Sequence, residues 1–387
     1  MRWTVTAALV VTLAAPAMPA QAGSTPPQAA APALERATDD RRGPALRTRR
    51  VVTGLRQPWD VQRIPQGLLI TERTERRLLL HADGRTKRVR FPRSTVWAQG
   101  ETGLMSLAVD PRFRRNRHIY ACHGGFLRGQ RDVRVVRWKL NRRATRVTKA
   151  KVLVRGIDAT TGRHGGCRLL IARNGALLVG TGDAAVGSHP QNRRSLNGKV
   201  LRLDRRTGRP WPKNPWAGAN NRKRRYVLTY GHRNVQGLAQ RKDGSLWSVE
   251  HGPDRDDEVN RLVRGGNYGW HPVPGYNETV PMTDHSLPGP QVDAAWSSGQ
   301  PTLATSGATW VKGRKWGRLN GTLAVAALKS SRIVFMKFDR RGRLKWTRAP
   351  AALQRFGRLR SITRGPGQSL LVTTANGSDD AVLRIRP

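Results

Sequence analysis

Apolar residues along this chain come in short runs. Each run follows a turn containing Gly or Asn and ends in polar or small residues. The pattern appears at Gln66-Gly67 before LLITER, at Asn116 before RHIYACHGG and at Asn174-Gly175 before ALLVGTGD. It returns at Asp243-Gly244 before SLWSVEHG, at Asn320-Gly321 before TLAVAALK and at Gly365 to Gln368 before SLLVTTANG. Runs this short, bounded by turns, read as strands, whereas the 3.6-residue period of an amphipathic helix is almost absent. Six copies between Val51 and the C-terminus, at a spacing of roughly 55 residues, are the pattern of a β-propeller, whose blades hold about four strands each. The expected fold is therefore all-β, a six-bladed β-propeller over residues 48–387; a pair of β-sandwich domains is the structural alternative. Equivalent strands of a propeller end on one face around the central channel. The groups left at the run ends, Glu72-Arg73, Cys122-His123, Asp183, Glu250-His251 and Lys329, are thus expected to converge on one pocket.

Charge narrows the class of partner. The chain has 387 residues, 71 Lys+Arg and 25 Asp+Glu, a net charge of +46, with the basic residues spread over every segment. Such a balance favours polyanions: nucleic acid, an anionic envelope polymer or an anionic cofactor. Residues 1–22 read as an export signal, with Arg2, an apolar run from Val5 to Ala15 and the A-x-A site Ala20-Gln21-Ala22. Residues 23–47, rich in Pro, Ala, Gln and Arg, read as a disordered linker. Export argues against nucleic acid as a partner and predicts a secreted, periplasmic or extracellular protein. It also makes Cys122 and Cys167, in or beside repeat strands of neighbouring blades, candidates for one disulfide.

Candidate chemistry is densest from Tyr230 to Trp270. Arg233, Asn234 and Gln236 crowd one turn; Glu250 to Glu258 follows a strand-like run, and a Gly-Gly-Asn-Tyr-Gly-Trp turn comes after it. Acidic side chains with kinked, carbonyl-exposing backbone suit calcium, which takes many oxygen ligands at flexible geometry. Further segments are Gly100 to Phe113, the Gly-rich loop around His164 (Gly162 to Gly175), Ala327 to Lys329, and Gly357 to Arg360. A histidine in an open Gly-rich loop at a strand end suits proton abstraction near neutral pH. Arg358 and Arg360, two apart, share a face if the segment is a strand.

Taken together, from Leu55 to the C-terminus, these segments resemble the soluble PQQ-dependent aldose (glucose/sorbosone-type) dehydrogenases, which are six-bladed propellers. The resemblance implies that His164 is the proton-abstracting histidine and that Arg233 and Asn234 lie beside substrate and quinone. It implies that Lys329, Arg358 and Arg360 contact PQQ, with Glu101 beside it where sugar-oxidising members have Gln. Gly252 and Pro253 match carbonyls that hold the Ca2+ bound to PQQ; Glu258 and Tyr268 match ligands of a structural Ca2+. The implied reaction is oxidation of the hemiacetal carbon of an aldose sugar to a lactone, with an electron acceptor the sequence leaves unknown. Lys and Arg suit the three carboxylates of PQQ. Two departures bear on the site: the added carboxylate of Glu101, which calls for a basic partner, and Arg163 before the histidine, where the glucose-oxidising branch has Asp. The competing readings are a non-catalytic propeller that binds anionic cell-envelope polymer and a calcium-dependent lactonase.

Overall fold

The computed structural model describes Met1 and residues 43–387; the expected export signal and most of the expected linker lie outside the described residues. The first strand, β1 (Arg47–Leu55), belongs to the last blade. Blade 1 is β2 to β5 (Pro58–Ile64, Gly67–Glu72, Arg77–Ala82, Arg85–Val89), and blade 2 is β6 to β9 (Leu104–Val109, His118–Leu127, Gln130–Leu140, Val147–Asp158). Blade 3 is β10 to β13 (Arg168–Ile171, Ala176–Gly180, Lys199–Asp204, Val227–Tyr230), and blade 4 is β14 to β17 (Val235–Gln240, Leu246–Glu250, Glu258–Arg261, Trp296–Ser297). Blade 5 is β18 to β21 (Thr305–Trp310, Leu323–Ala327, Ile333–Phe338, Leu344–Arg348). Blade 6 is β22 to β24 (Leu359–Arg364, Leu370–Thr374, Asp380–Arg386), completed by β1 paired antiparallel to β24. The chain is thus an all-β, six-bladed propeller, and each of the six apolar runs is the second strand of a blade.

The first strands, β2, β6, β10, β14, β18 and β22, pack neighbour to neighbour and close a ring around the channel. Their facing residues are polar and bonded across it. Arg168 on β10 donates to Asp60 on β2 (3.1 Å) and to the Gln236 carbonyl on β14 (2.8 Å). Ser106 on β6 donates to the same Asp60 oxygen (2.9 Å). The Arg168 guanidinium also lies 4.2 Å from the Trp59 ring centroid, a cation–π contact. Apolar packing sits between the blades: Trp247 of blade 4 meets Trp310 and Phe338 of blade 5 at centroid distances of 5.5 and 4.6 Å. The expected disulfide is present, joining Cys122 in β7 to Cys167 just before β10, with Cα atoms 6.1 Å apart.

Strand register fixes where the chemistry lies. In every blade the start of the inner strand faces the end of the second strand: Pro58↔Glu72, Leu104↔His123, Arg168↔Gly180, Val235↔Glu250, Thr305↔Ala327 and Leu359↔Thr374. Loops entering the inner strands and loops leaving the second strands therefore share one end of the propeller. His164, Glu101, Arg233, Asn234 and Arg358 come from the first kind of loop; Arg73, Asp183, His251 and Lys329 come from the second.

Candidate active site

His164 sits in the left-handed region, with φ of 49°, a conformation that is strained for a non-glycine residue and concentrates at functional sites. Glycine makes room for it: a Cβ on Gly182 would stand 1.9 Å from the His164 carbonyl oxygen, and one on Gly162 would stand 2.1 Å from the Gln99 carbonyl oxygen. The imidazole is buried. Its Nδ1 lies 2.8 Å from Asp183 Oδ1 and 3.0 Å from the Tyr276 hydroxyl. Asp183 also accepts from Tyr276 (2.7 Å), Trp270 Nε1 (2.8 Å) and the Ala185 backbone N–H (2.8 Å). Burial alone would raise the Asp183 pKa, but the bonds from His164 and Tyr276 outweigh it and hold the group below the usual carboxylate range. A charged Asp183 takes the proton on Nδ1 as a donor and leaves Nε2 as the acceptor, the tautomer a general base requires.

Four of the residues singled out in the sequence, Glu101, Asn234, Gln236 and Arg360, form a chain of hydrogen bonds near this pair. Asn234 donates to Glu101 (3.0 Å), Gln236 donates to Asn234 (2.9 Å), and Arg360 donates to Gln236 (3.0 Å). Burial works to raise Glu101, yet His164, His251, the Asn234 bond and Arg360 keep it below the usual range. Burial holds Arg360 down to about 9, with Arg73, Arg168 and Arg358 adding repulsion and Glu101 opposing it. Arg358 and Lys329 are exposed at the same end of the propeller, and among the described residues no side-chain hydrogen bond joins either to the network. Arg233 is buried. Its backbone N–H donates to Glu250 (2.9 Å), its Nη1 to the His251 carbonyl (3.3 Å) and its Nη2 to Glu278. Two buried nitrogens of this region, Arg233 Nε and His251 Nε2, have no partner.

The acidic loop is shaped by Asp257. Its carboxylate accepts from the backbone N–H groups of Gly252 (3.0 Å), Leu303 (2.8 Å) and Thr305 (3.1 Å). Burial nevertheless pushes it up to about 6 against those bonds. The turn brings the Gly252 and Pro253 carbonyls beside His251, and among the described residues no hydrogen bond to either carbonyl is found. Glu258 and Tyr268 lie apart from His164, in a buried cluster with His232, Glu250 and Asn260. Asn260 Nδ2 bridges Glu250 (2.9 Å) and Glu258 (3.0 Å), and the Tyr268 ring stacks on His232 at 4.5 Å. Burial, then the charge of Glu250, push Glu258 well above the ordinary range. The Tyr268 hydroxyl is engaged by the Arg261 carbonyl (2.7 Å) and the Val263 N–H (3.0 Å).

Sequence reasoning did not single out Trp270 as a partner of Asp183, nor Tyr276 and Glu278. All three lie on the excursion over residues 262–295, between the last two strands of blade 4. Its length without a strand is the signal that was there to read, since such loops are usually functional.

Loops at one end of the propeller thus gather a buried histidine–carboxylate pair and several guanidiniums into one site. The chain belongs to the glucose/sorbosone dehydrogenase family, whose sequence profile matches residues 55–384. It is 28% identical over 306 residues to the aldose sugar dehydrogenase YliI of Escherichia coli K12, covering 76% of this chain and 79% of that one. It is 31% identical over 209 residues to quinoprotein glucose dehydrogenase B of Acinetobacter calcoaceticus, covering 47% of this chain and 42% of that one. The PQQ-bound aldose sugar dehydrogenase of Streptomyces coelicolor superposes with a TM-score of 0.73 at 26% identity, covering 88% of this chain and 98% of that one.

Proposed function

We propose that the protein is an exported aldose dehydrogenase that uses PQQ and Ca2+ to oxidise the hemiacetal carbon of a sugar to a lactone. The observation that carries this reading is the His164–Asp183 pair, set among cations that lack enough acid to balance them. The donor set fits a tricarboxylate. Arg360 is depressed by burial and by neighbouring guanidiniums, Arg358 among them, Arg233 Nε has no partner, and Lys329 is exposed at the same end of the propeller. Glu101 opposes an anion, and its hydrogen bond from Asn234 together with nearby Arg360 compensates. The residues that would hold PQQ are Lys329, Arg358, Arg360 and Asn234, with Glu101 alongside. The Gly252 and Pro253 carbonyls would hold its calcium. A second calcium fits the Glu250–Glu258 pair, with the Tyr268 backbone carbonyl left to serve. When bound, PQQ supplies the two-electron oxidant and Ca2+ polarises it.

The chain's own contribution is proton handling and placement. His164 Nε2 accepts the anomeric hydroxyl proton. Asp183 keeps Nδ1 protonated and balances the imidazolium that forms. Tyr276 and Trp270 fix Asp183 in turn, and Arg233 lines the same pocket. Export fits the Cys122–Cys167 disulfide, and the large positive charge suits contact with an anionic envelope.

The test is reconstitution with PQQ and Ca2+, followed by aldose-dependent bleaching of an artificial electron acceptor. Bleaching that needs sugar, PQQ and Ca2+ together is expected. Absence of PQQ binding, or lactone hydrolysis that needs calcium but no quinone, would overturn it.

A further inference from the structure

Glu278 is held between two guanidiniums beside the catalytic pair. Arg163 Nη2 donates to Glu278 Oε2 at 2.6 Å, and Arg233 Nη2 donates to the other oxygen. Arg163 is the residue before His164, and its guanidinium lies 5.4 Å from the ring centroid of Tyr276, which itself touches His164. The Arg233 guanidinium lies 5.6 Å from the ring centroid of Trp270, which holds Asp183. Both arginines are thus fixed against aromatic rings whose polar atoms bind the His164–Asp183 pair. The side chains of Arg163, Glu278 and Arg233 are 45%, 33% and 4% exposed, so the clamp runs from solvent into the site. Two arginines gripping the two oxygens of one carboxylate is the geometry by which proteins recognise a carboxylate ligand. Here the chain supplies that carboxylate itself.

We propose that Glu278 sets the charge selectivity of the sugar pocket: by occupying the Arg163–Arg233 clamp it excludes sugars bearing a carboxylate, the uronic acids, and reserves the site for neutral aldoses. This rests on the sugar-oxidising reading above. The exclusion has two parts. A substrate carboxylate must displace Glu278 from both guanidiniums, and until it does so it meets a like charge. Glu278 is itself held below the usual carboxylate range; burial opposes this, but its bonds to Arg163 and Arg233 prevail. It therefore remains charged at neutral pH. A neutral aldose pays neither penalty.

The experiment compares the parent with Glu278→Gln and the double variant Arg163→Gln/Glu278→Gln. Each is assayed with glucose and with glucuronate after reconstitution. The cofactor-free proteins are also titrated with glucuronate by calorimetry. Glu278→Gln leaves two guanidiniums facing one neutral amide. Its glucuronate-to-glucose ratio of kcat/KM should rise by about tenfold or more, in line with an exchanged charge contact, and glucuronate should bind the cofactor-free variant more tightly than the parent. In the double variant both gains should shrink, because one receiving guanidinium is gone. A ratio within about threefold of the parent, a parent that already prefers glucuronate, or a gain that survives loss of Arg163 would each overturn the proposal. A parent that oxidises no sugar would overturn the dehydrogenase reading instead, and the calorimetric comparison would still decide whether Glu278 blocks a carboxylate site.

Discussion

At the scale of single residues, the pair that matters most is joined by one bond, Nδ1 of His164 to Asp183 (2.8 Å). His164→Ala removes the base and should lower turnover on the order of 10²- to 10⁴-fold. PQQ binding, measured by absorbance titration, should be retained, because the proposed contacts lie elsewhere. Asp183→Asn keeps the shape but cannot balance an imidazolium, and its amide can hold the wrong tautomer. A loss of about 10²-fold or more in kcat is expected, and retention of parental kcat would refute the positioning role. A different histidine contributes to loss of stability in acid. His123 is buried against Phe91 and Trp138, its Nδ1 bonded to the Gly124 carbonyl (2.7 Å). Burial holds it down to about 4, with Arg134 adding to the effect and the Gly124 bond opposing. Below about pH 6.5 the unfolded chain takes up a proton that the folded chain refuses, so stability falls as pH drops from there toward 4, by about 3 kcal/mol in all. Urea melts across this window should show a shallower pH slope for His123→Gln than for the parent, by up to one proton.

At the scale of elements, legibility followed burial. The second strands β3, β7, β11, β15, β19 and β23 are buried almost throughout, so each reads in the sequence as an apolar run between turns. The inner strands were harder to see because their channel positions are polar: Gln236, Ser306 and Arg360 interrupt the apolar pattern while bonding across the ring. His164, Arg233 and Asn234 were legible because each sits at a strand entrance marked by glycine or by a crowd of polar residues. Tyr276 and Glu278 were not, because their partners lie 45 to 115 residues away and a loop has no periodicity to reveal its direction. One element carries a local conflict. In the β1–β24 ladder, Arg47 faces Arg386 and Arg49 faces Arg384, and like charges directly opposite destabilise a sheet. Arg49→Glu should stabilise the protein by a few tenths of a kcal/mol at low salt. Thermal melts should show the gain fading as ionic strength rises. A loss of stability at low salt would mean that the ladder tolerates its arginines for another reason.

At the scale of the molecule, the ring closes through strands from opposite ends of the chain, and this sets an order in time. Among the described strands, β1 is synthesised first and its partner β24 last. Arg47 and Arg386 are 386 − 47 = 339 positions apart. Bringing such distant ends together costs on the order of 5 kcal/mol of chain entropy, and pairings of this range slow folding. Until the closing ladder forms, blade 6 lacks its outermost strand. A circular permutant that begins at Arg56 and carries residues 43–55 behind Pro387 makes blade 6 continuous. It should reach the same fold and the same sugar-oxidising activity while refolding severalfold faster in stopped-flow fluorescence. An unchanged rate would show that another step is limiting. For the natural chain, any intermediate in which β24 is still unpaired presents an open, hydrogen-bond-hungry edge, so the circle of blades is sealed only when its two most distant strands meet.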